Sequence, residues 1–256
     1  SSTFEDLAGA AFAGQHDTYI NCVGTARILE RVRDCLVSLW QDRAILYRQQ
    51  RGFDHRAAAM AVVGQQMVQA DAAGVGITVN PINGRLDEMV VNANYGLGES
   101  VVSGEGEIDQ FIVAKADLAV RSSTIGRKAH RVVSAADGTV SQALDEATAS
   151  KPCLAPEQLR ELGVLLKKVE SLCQFPQDVE WALAAGKLYL LQARPAARFI
   201  ALQSANGLNN AFNGVIRRDA LARVSPIGIF TGADIVLMSE LALLGVPVFL
   251  FQEGGD

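Results

Sequence analysis

Gln177-Asp178-Val179-Glu180-Trp181, followed by Leu190-Leu191-Gln192-Ala193-Arg194-Pro195, is the stretch on which the reading of this chain turns. Apolar runs over residues 179–183 and 187–192 flank Ala185-Gly186, the pattern of two strands joined by a tight turn. Alternate side chains of a strand share a face, so Asp178 points with Glu180, and Gln192 points with Arg194. Carboxylate, amide oxygen and guanidinium across neighbouring strands suit a Mg²⁺-triphosphate site, because Mg²⁺ takes a few protein oxygens and shares the rest of its shell with phosphates. Arg194 would offset phosphate charge in fork geometry. The same residues also fit an exposed hairpin with a cross-strand Glu–Arg pair, which contributes only about 0.2–1 kcal/mol. The residues alone leave both readings open.

Working outward from the hairpin, Pro156 suits the first turn of a helix. Leu159, Leu162, Val164, Leu165, Leu166, Val169 and Leu172 carry its apolar face to about Cys173. Upstream, apolar segments at 58–63, 75–79 and 89–93 are separated by Gly74, Asn80-Pro81 and Asn83-Gly84, and are expected to form one antiparallel or mixed sheet. Further short strands are expected at 108–114 and 131–134, the second turning through Asp137-Gly138 into Thr139-Val140. Ile28, Leu29, Val32, Cys35, Leu36, Leu39 and Trp40 recur at three- and four-residue spacing, which predicts one long amphipathic helix over residues 25–51, ending at Gly52. Residues 1–23 read as a loop rich in small residues. After Pro195 the composition changes: residues 203–214 hold four Asn and two Gly, a flexible connection. A helix over 234–244 and a strand over 246–251 are expected beyond it.

Of 256 residues, 49% are apolar and 20% charged, a globular composition long enough for one or two domains. The net charge of −5 argues against a dedicated nucleic-acid binder. No stretch approaches the roughly 20 apolar residues that cross a bilayer. Glu5 and Asp6 stand where a secretory leader carries basic residues, so neither membrane insertion nor secretion is expected. Cys22, Cys35, Cys153 and Cys173 lack the CxxC spacing of a zinc clip and read as reduced thiols of a cytoplasmic protein. The opening Ser-Ser-Thr-Phe-Glu-Asp, without Met, reads as the start of a piece of something longer.

Two other stretches carry residues that could serve chemistry. Residues 10–18 form an Ala/Gly-rich loop in which Gly14 lets backbone N–H groups approach a phosphate and Thr18 offers a hydroxyl; taken alone the signal is weak, and an Ala/Gly turn without a ligand is the commoner meaning of such a loop. Gly96-Leu97-Gly98 follows a strand, but Val101 stands where a dinucleotide fingerprint needs its third small residue, so that reading fails. His16, His55 and His130 are scattered, with no Cys or carboxylate at a metal-ligand interval.

Taken together, Phe12-Ala13-Gly14-Gln15 with Asp17-Thr18-Tyr19, Ser38-Leu39-Trp40 with Asp42-Arg43-Ala44, Gln65-Gln66-Met67-Val68, Gly96-Leu97-Gly98-Glu99 and the two stretches of the hairpin resemble the nucleotide-binding domain of the phosphoenolpyruvate synthase and pyruvate phosphate dikinase family, which includes the rifampin phosphotransferases. The resemblance runs from Ser1 to about Pro195. It implies an α+β, ATP-grasp-like domain over residues 1–198, with residues 199–256 a linker and small α/β tail unit. Carried over by position, Gly14 and Thr18 would touch phosphates, Gln65 would lie near the adenosine end, Glu180 and Gln192 would hold Mg²⁺, and Arg194 would contact the transferring phosphates of ATP. A histidine on a separate domain would receive the phosphoryl group and pass it to pyruvate or an antibiotic-like hydroxyl.

The departures point to incompleteness. The family's phosphate-contacting Lys, in the first half of the clamp, and an Arg preceding the Ser-Ser pair would both lie upstream of Ser1. His16 stands where Gln is usual, and residues 196–256 contain no histidine. Two functions are therefore compatible with the sequence. One is the ATP-binding portion of a phosphotransferase, working with the rest of a longer enzyme or a partner chain. The other is a non-catalytic or ligase-associated module that keeps the fold and acts through protein interaction.

Overall fold

The computed structural model describes residues 2–3, 6–7, 10–11, 16–103, 107–196 and 248–252. In chain order the elements are β1 (Asp6–Leu7), β2 (Ala10–Ala11), α1 (Thr25–Ser38), α2 (Asp42–Arg51), β3 (Ala61–Gln65), β4 (Ala72–Ile77), β5 (Glu88–Tyr95), α3 (Glu99–Ser103), β6 (Asp109–Ala114), β7 (Val120–Thr124), β8 (His130–Ser134), β9 (Thr139–Ala143), α4 (Glu146–Ala149), α5 (Pro156–Cys173), β10 (Gln177–Ala184), β11 (Lys187–Pro195) and β12 (Val248–Gln252). The described residues fall into two compact units. The first comprises those up to Met67 with 136–138 and 248–252, and the second 68–135 with 139–196. This is an α+β chain whose main sheet is antiparallel. Of the expected tail, only β12 lies within the described residues, paired antiparallel with β3; the 234–244 helix lies outside them.

In the second unit six strands form one sheet in the order β11-β10-β4-β5-β6-β7. Helix α5 starts with Pro156, whose missing N–H costs nothing at a helix start, and Gln158 Oε1 accepts from the Ala155 N–H at 2.8 Å. Its Leu159, Leu162, Leu166 and Val169 are buried, as are Val179, Trp181 and Leu183 of β10 and Met89, Val91 and Ala93 of β5. Burying each large apolar side chain contributes about 1.5–3 kcal/mol. Leu166 sits so close over β4 that a Cβ built on Gly76 would lie 2.6 Å from its Cδ1, so any larger residue there would make the leucine side chain shift.

Two expectations are corrected here. β3 does not join β4 and β5; it pairs with β12 in a separate two-stranded sheet. The single helix over 25–51 is two helices, because Gln41 is extended (φ −70°, ψ 154°) and caps α2. Ser38 Oγ donates back to the Cys35 carbonyl at 2.7 Å, which competes with the helical ladder, and accepts the Asp17 N–H at 3.2 Å. The apolar spacing hides this break because Leu39 continues the stripe into a cluster with Met60 and Val62. The expected end at Gly52 holds: its left-handed φ of 71° closes α2. β7 escaped the sequence reading because Val120–Thr124 is mostly polar; it is the sheet's exposed edge, where polar side chains discourage further pairing.

Beyond β6, the second unit is tied by a buried ion pair. Asp109 and Lys128 have fully buried side chains, with Lys128 Nζ 2.5 Å from Asp109 Oδ1. Asp109 also accepts the Gly126 and Cys153 N–H groups at 3.1 and 2.8 Å. Removing one member of such a pair strands the other charge. Asp109→Ala is expected to cost about 3–5 kcal/mol in urea unfolding. Lys128→Met should cost less, since Asp109 keeps two backbone donors; equal losses for both variants would contradict this.

Candidate functional site

The hairpin is the outer part of the six-stranded sheet, not an isolated exposed ribbon. Asp178 pairs with Arg194 and Glu180 with Gln192 across β10 and β11, and the register slips at Leu191 before Trp181 meets Leu190. The bulge sets Gln192 opposite Glu180 while Leu190 stays buried. Trp181 and Val179 face α5, so Asp178 and Glu180 take the opposite face with Val75 and Ile77 of β4. All four expected side chains therefore come to one face of one sheet edge.

Their partners differ from the cross-strand Glu–Arg pair that the sequence left open. Arg194 is held by Asp178: Nε donates to Oδ2 at 3.0 Å, and Nη2 lies 3.0 Å from the same oxygen. Glu180 is half-buried, and no described residue donates a hydrogen bond to its carboxylate. Burial raises its pKa above the ordinary glutamate value; Arg194 works the other way, and Asp178 adds to the rise. A desolvated carboxylate lacking a protein donor, beside the exposed amide of Gln192, fits a cation that brings further oxygen ligands with it. Among the described residues no three His, Cys, Asp or Glu cluster as a self-sufficient metal site. The same row runs on through Val75 to Asn92 and Gln110, where Gln110 Nε2 donates to Asn92 Oδ1 at 3.1 Å. Nothing in the spacing of these two residues singled them out; only strand order brings them into line with Glu180.

Thr18 and Gln65 belong to the first unit, both exposed, Gln65 at the end of β3. Gly14 lies outside the described residues. Asp17, which the sequence reading gave no role, is the best-connected residue near Thr18. Its carboxylate accepts from Gln41 Nε2 at 2.9 Å, from the Tyr19 hydroxyl at 3.3 Å and from Arg43 Nη2. His16 is wedged beside it, with Nε2 2.9 Å from Ser2 Oγ.

With this geometry in hand, residues 1–209 match the model of the pyruvate phosphate dikinase AMP/ATP-binding domain, and the chain belongs to that family. Among curated proteins it is similar to a probable phosphoenolpyruvate synthase of Methanocaldococcus jannaschii, 43% identical over 196 residues, which are 76% of this chain and 16% of that protein. The phosphoenolpyruvate synthase of Pyrococcus furiosus is 38% identical over 204 residues, 76% of this chain and 25% of that protein. The rifampicin phosphotransferase of Streptomyces sviceus is 36% identical over 232 residues, 90% of this chain and 26% of that protein. The chain thus spans about a quarter or less of the length of these relatives.

The first unit carries a pH dependence of its own. Burial is the main cause that lowers the His16 pKa from 6.5 to about 4; the cationic Arg48 and Arg43 add smaller contributions in the same direction. Below the unfolded value the unfolded chain binds the proton first, so stability is lost as the pH falls from about 6.5 towards 4. His16→Gln is expected to flatten that slope; an unchanged slope in denaturation measured between these pH values would contradict the assignment.

Proposed function

We propose that residues 1–198 are the nucleotide-binding part, of ATP-grasp architecture, of a dikinase-type phosphotransferase, with residues 199–256 a linker and small tail unit. The whole enzyme would pass a phosphoryl group from ATP, by way of a histidine on a separate domain, to pyruvate or an antibiotic-like hydroxyl. What supports this reading best is the desolvated carboxylate of Glu180, which takes no hydrogen bond from the described residues, set directly across from Gln192 with Arg194 one pair further along. Membership of an AMP/ATP-binding domain family agrees with it. In this reading Glu180 and Gln192 hold Mg²⁺, which when bound would offset phosphate charge. Arg194 orients the transferring phosphates while Asp178 keeps its guanidinium in place. Thr18 and Gly14 meet phosphates, and Gln65 lies towards the adenosine. Phosphoryl transfer asks for positioning and charge stabilisation more than covalent help, and these residue types supply both. The four free thiols agree with a cytoplasmic setting, and among the described residues no helix is long and apolar enough to cross a membrane.

The site's own charge limits its affinity. One guanidinium stands among two carboxylates, and Arg194 already spends its charge on Asp178. A triphosphate carries about four negative charges, so Mg²⁺ alone leaves a weak field. The 256-residue chain is expected to bind ATP with a dissociation constant above about 1 mM and to show no phosphotransferase activity without the remaining domains. Titration with and without Mg²⁺ tests this, and micromolar binding would overturn it. Glu180→Gln should abolish the Mg²⁺ dependence. Arg194→Ala should weaken binding by about tenfold or more, as a charged hydrogen bond contributes about 1.5–3 kcal/mol.

A further inference from the structure

We propose that Asp17 is a positioning residue that holds Thr18 in place for an anionic ligand before the ligand arrives; this rests on the reading that Thr18 meets the phosphates of ATP. The observation behind it is an asymmetry within three residues. Asp17 is tied on every side: its N–H donates to Ser38 Oγ at 3.2 Å and its carbonyl accepts from Cys35 Sγ at 3.4 Å. Its carboxylate takes Gln41, Tyr19 and Arg43. Tyr19, on the far side of Thr18, is fixed by the same carboxylate and by the Arg31 guanidinium 4.5 Å from its ring centroid. Thr18 between them is exposed, and its hydroxyl has no hydrogen-bond partner among the described residues.

This arrangement reverses what composition suggests. A run of Ala and Gly loses much conformational freedom when it closes on a ligand, and that loss is charged against binding. Here residue 17 is fastened to the junction of α1 and α2, and residue 19 to residue 17 and to Arg31 of α1, so the residue between them has lost backbone freedom in advance. The fastening also explains an expense elsewhere. The helical stripe from Thr25 onwards is interrupted where Ser38 and Gln41 turn to meet Asp17, although the intervening sequence contains neither Gly nor Pro. All of these contacts lie within the first unit.

The test uses the ¹⁵N-labelled full chain titrated with Mg²⁺-ATP up to about ten times the millimolar range expected above. The proteins are wild type, Thr18→Val, Asp17→Ala and the double variant, with Gln41→Ala run alongside in case Asp17→Ala does not fold. Thr18→Val should weaken binding about tenfold and Asp17→Ala or Gln41→Ala about threefold to tenfold. The double variant should be no weaker than Thr18→Val, because Asp17 acts through Thr18. Without nucleotide, Asp17→Ala should lower the order parameter of the Thr18 amide while Leu39, Met60 and Val62 keep wild-type shifts. No shift at Thr18 in the wild-type chain, or unchanged affinity in Thr18→Val, overturns the phosphate reading and this inference with it. A loss in Thr18→Val accompanied by no loss, or an additive loss, from the Asp17 and Gln41 variants overturns this inference alone.

Discussion

Leu166 of α5 rests on the bare backbone of Gly76, and from that seat follows which side of the central strands is dry. A helix carrying buried Leu159, Leu162, Leu166 and Val169 must cover apolar surface. β10 offers it Val179, Trp181 and Leu183. Because strand side chains alternate, burying these three leaves Asp178 and Glu180 no place but the opposite face. The chemistry of the hairpin is thus a by-product of core packing. A side chain at Gly76 would press on Leu166 and force that side chain to shift.

On the opposite face, electrostatics divides the labour between two carboxylates only two residues apart. Asp178 spends its charge on Arg194, which fixes a guanidinium that would otherwise sweep solvent. Among the described residues Glu180 accepts no such hydrogen bond, and burial raises its pKa. The bulge at Leu191 matters as much as the residue types, since it brings Gln192 level with Glu180 while keeping Leu190 in the core. The register therefore turns four polar residues into one anchored cation and one carboxylate-amide pair.

The first unit solves its own positioning problem with polar contacts in place of packing. Asp17 gathers donors from Tyr19, Gln41 and Arg43, while the apolar cluster of Leu39, Met60 and Val62 steadies the helices that present them. Nearby, Arg48 is almost fully buried, bonds His55 Nδ1 at 3.1 Å and stacks on Trp40. Its cation helps keep His16 neutral.

By itself the amino-acid sequence determined the strong local patterns. Pro156 and its apolar stripe specified α5, Gly52 closed α2, and the alternation on either side of Ala185-Gly186 specified the hairpin with its residues on shared faces, because each of these is set by neighbours a few positions away. The family was legible for the same reason, in short contiguous motifs. Tertiary structure decided what depends on distant partners. β3 leaves the expected sheet for β12, the helix over 25–51 breaks where Ser38 and Gln41 meet Asp17, and β7 forms from polar residues because β6 offers an edge. Arg194 pairs with Asp178 instead of Glu180 because the register aligns their Cα atoms, and no spacing along the chain encodes which of two carboxylates lies directly across a strand.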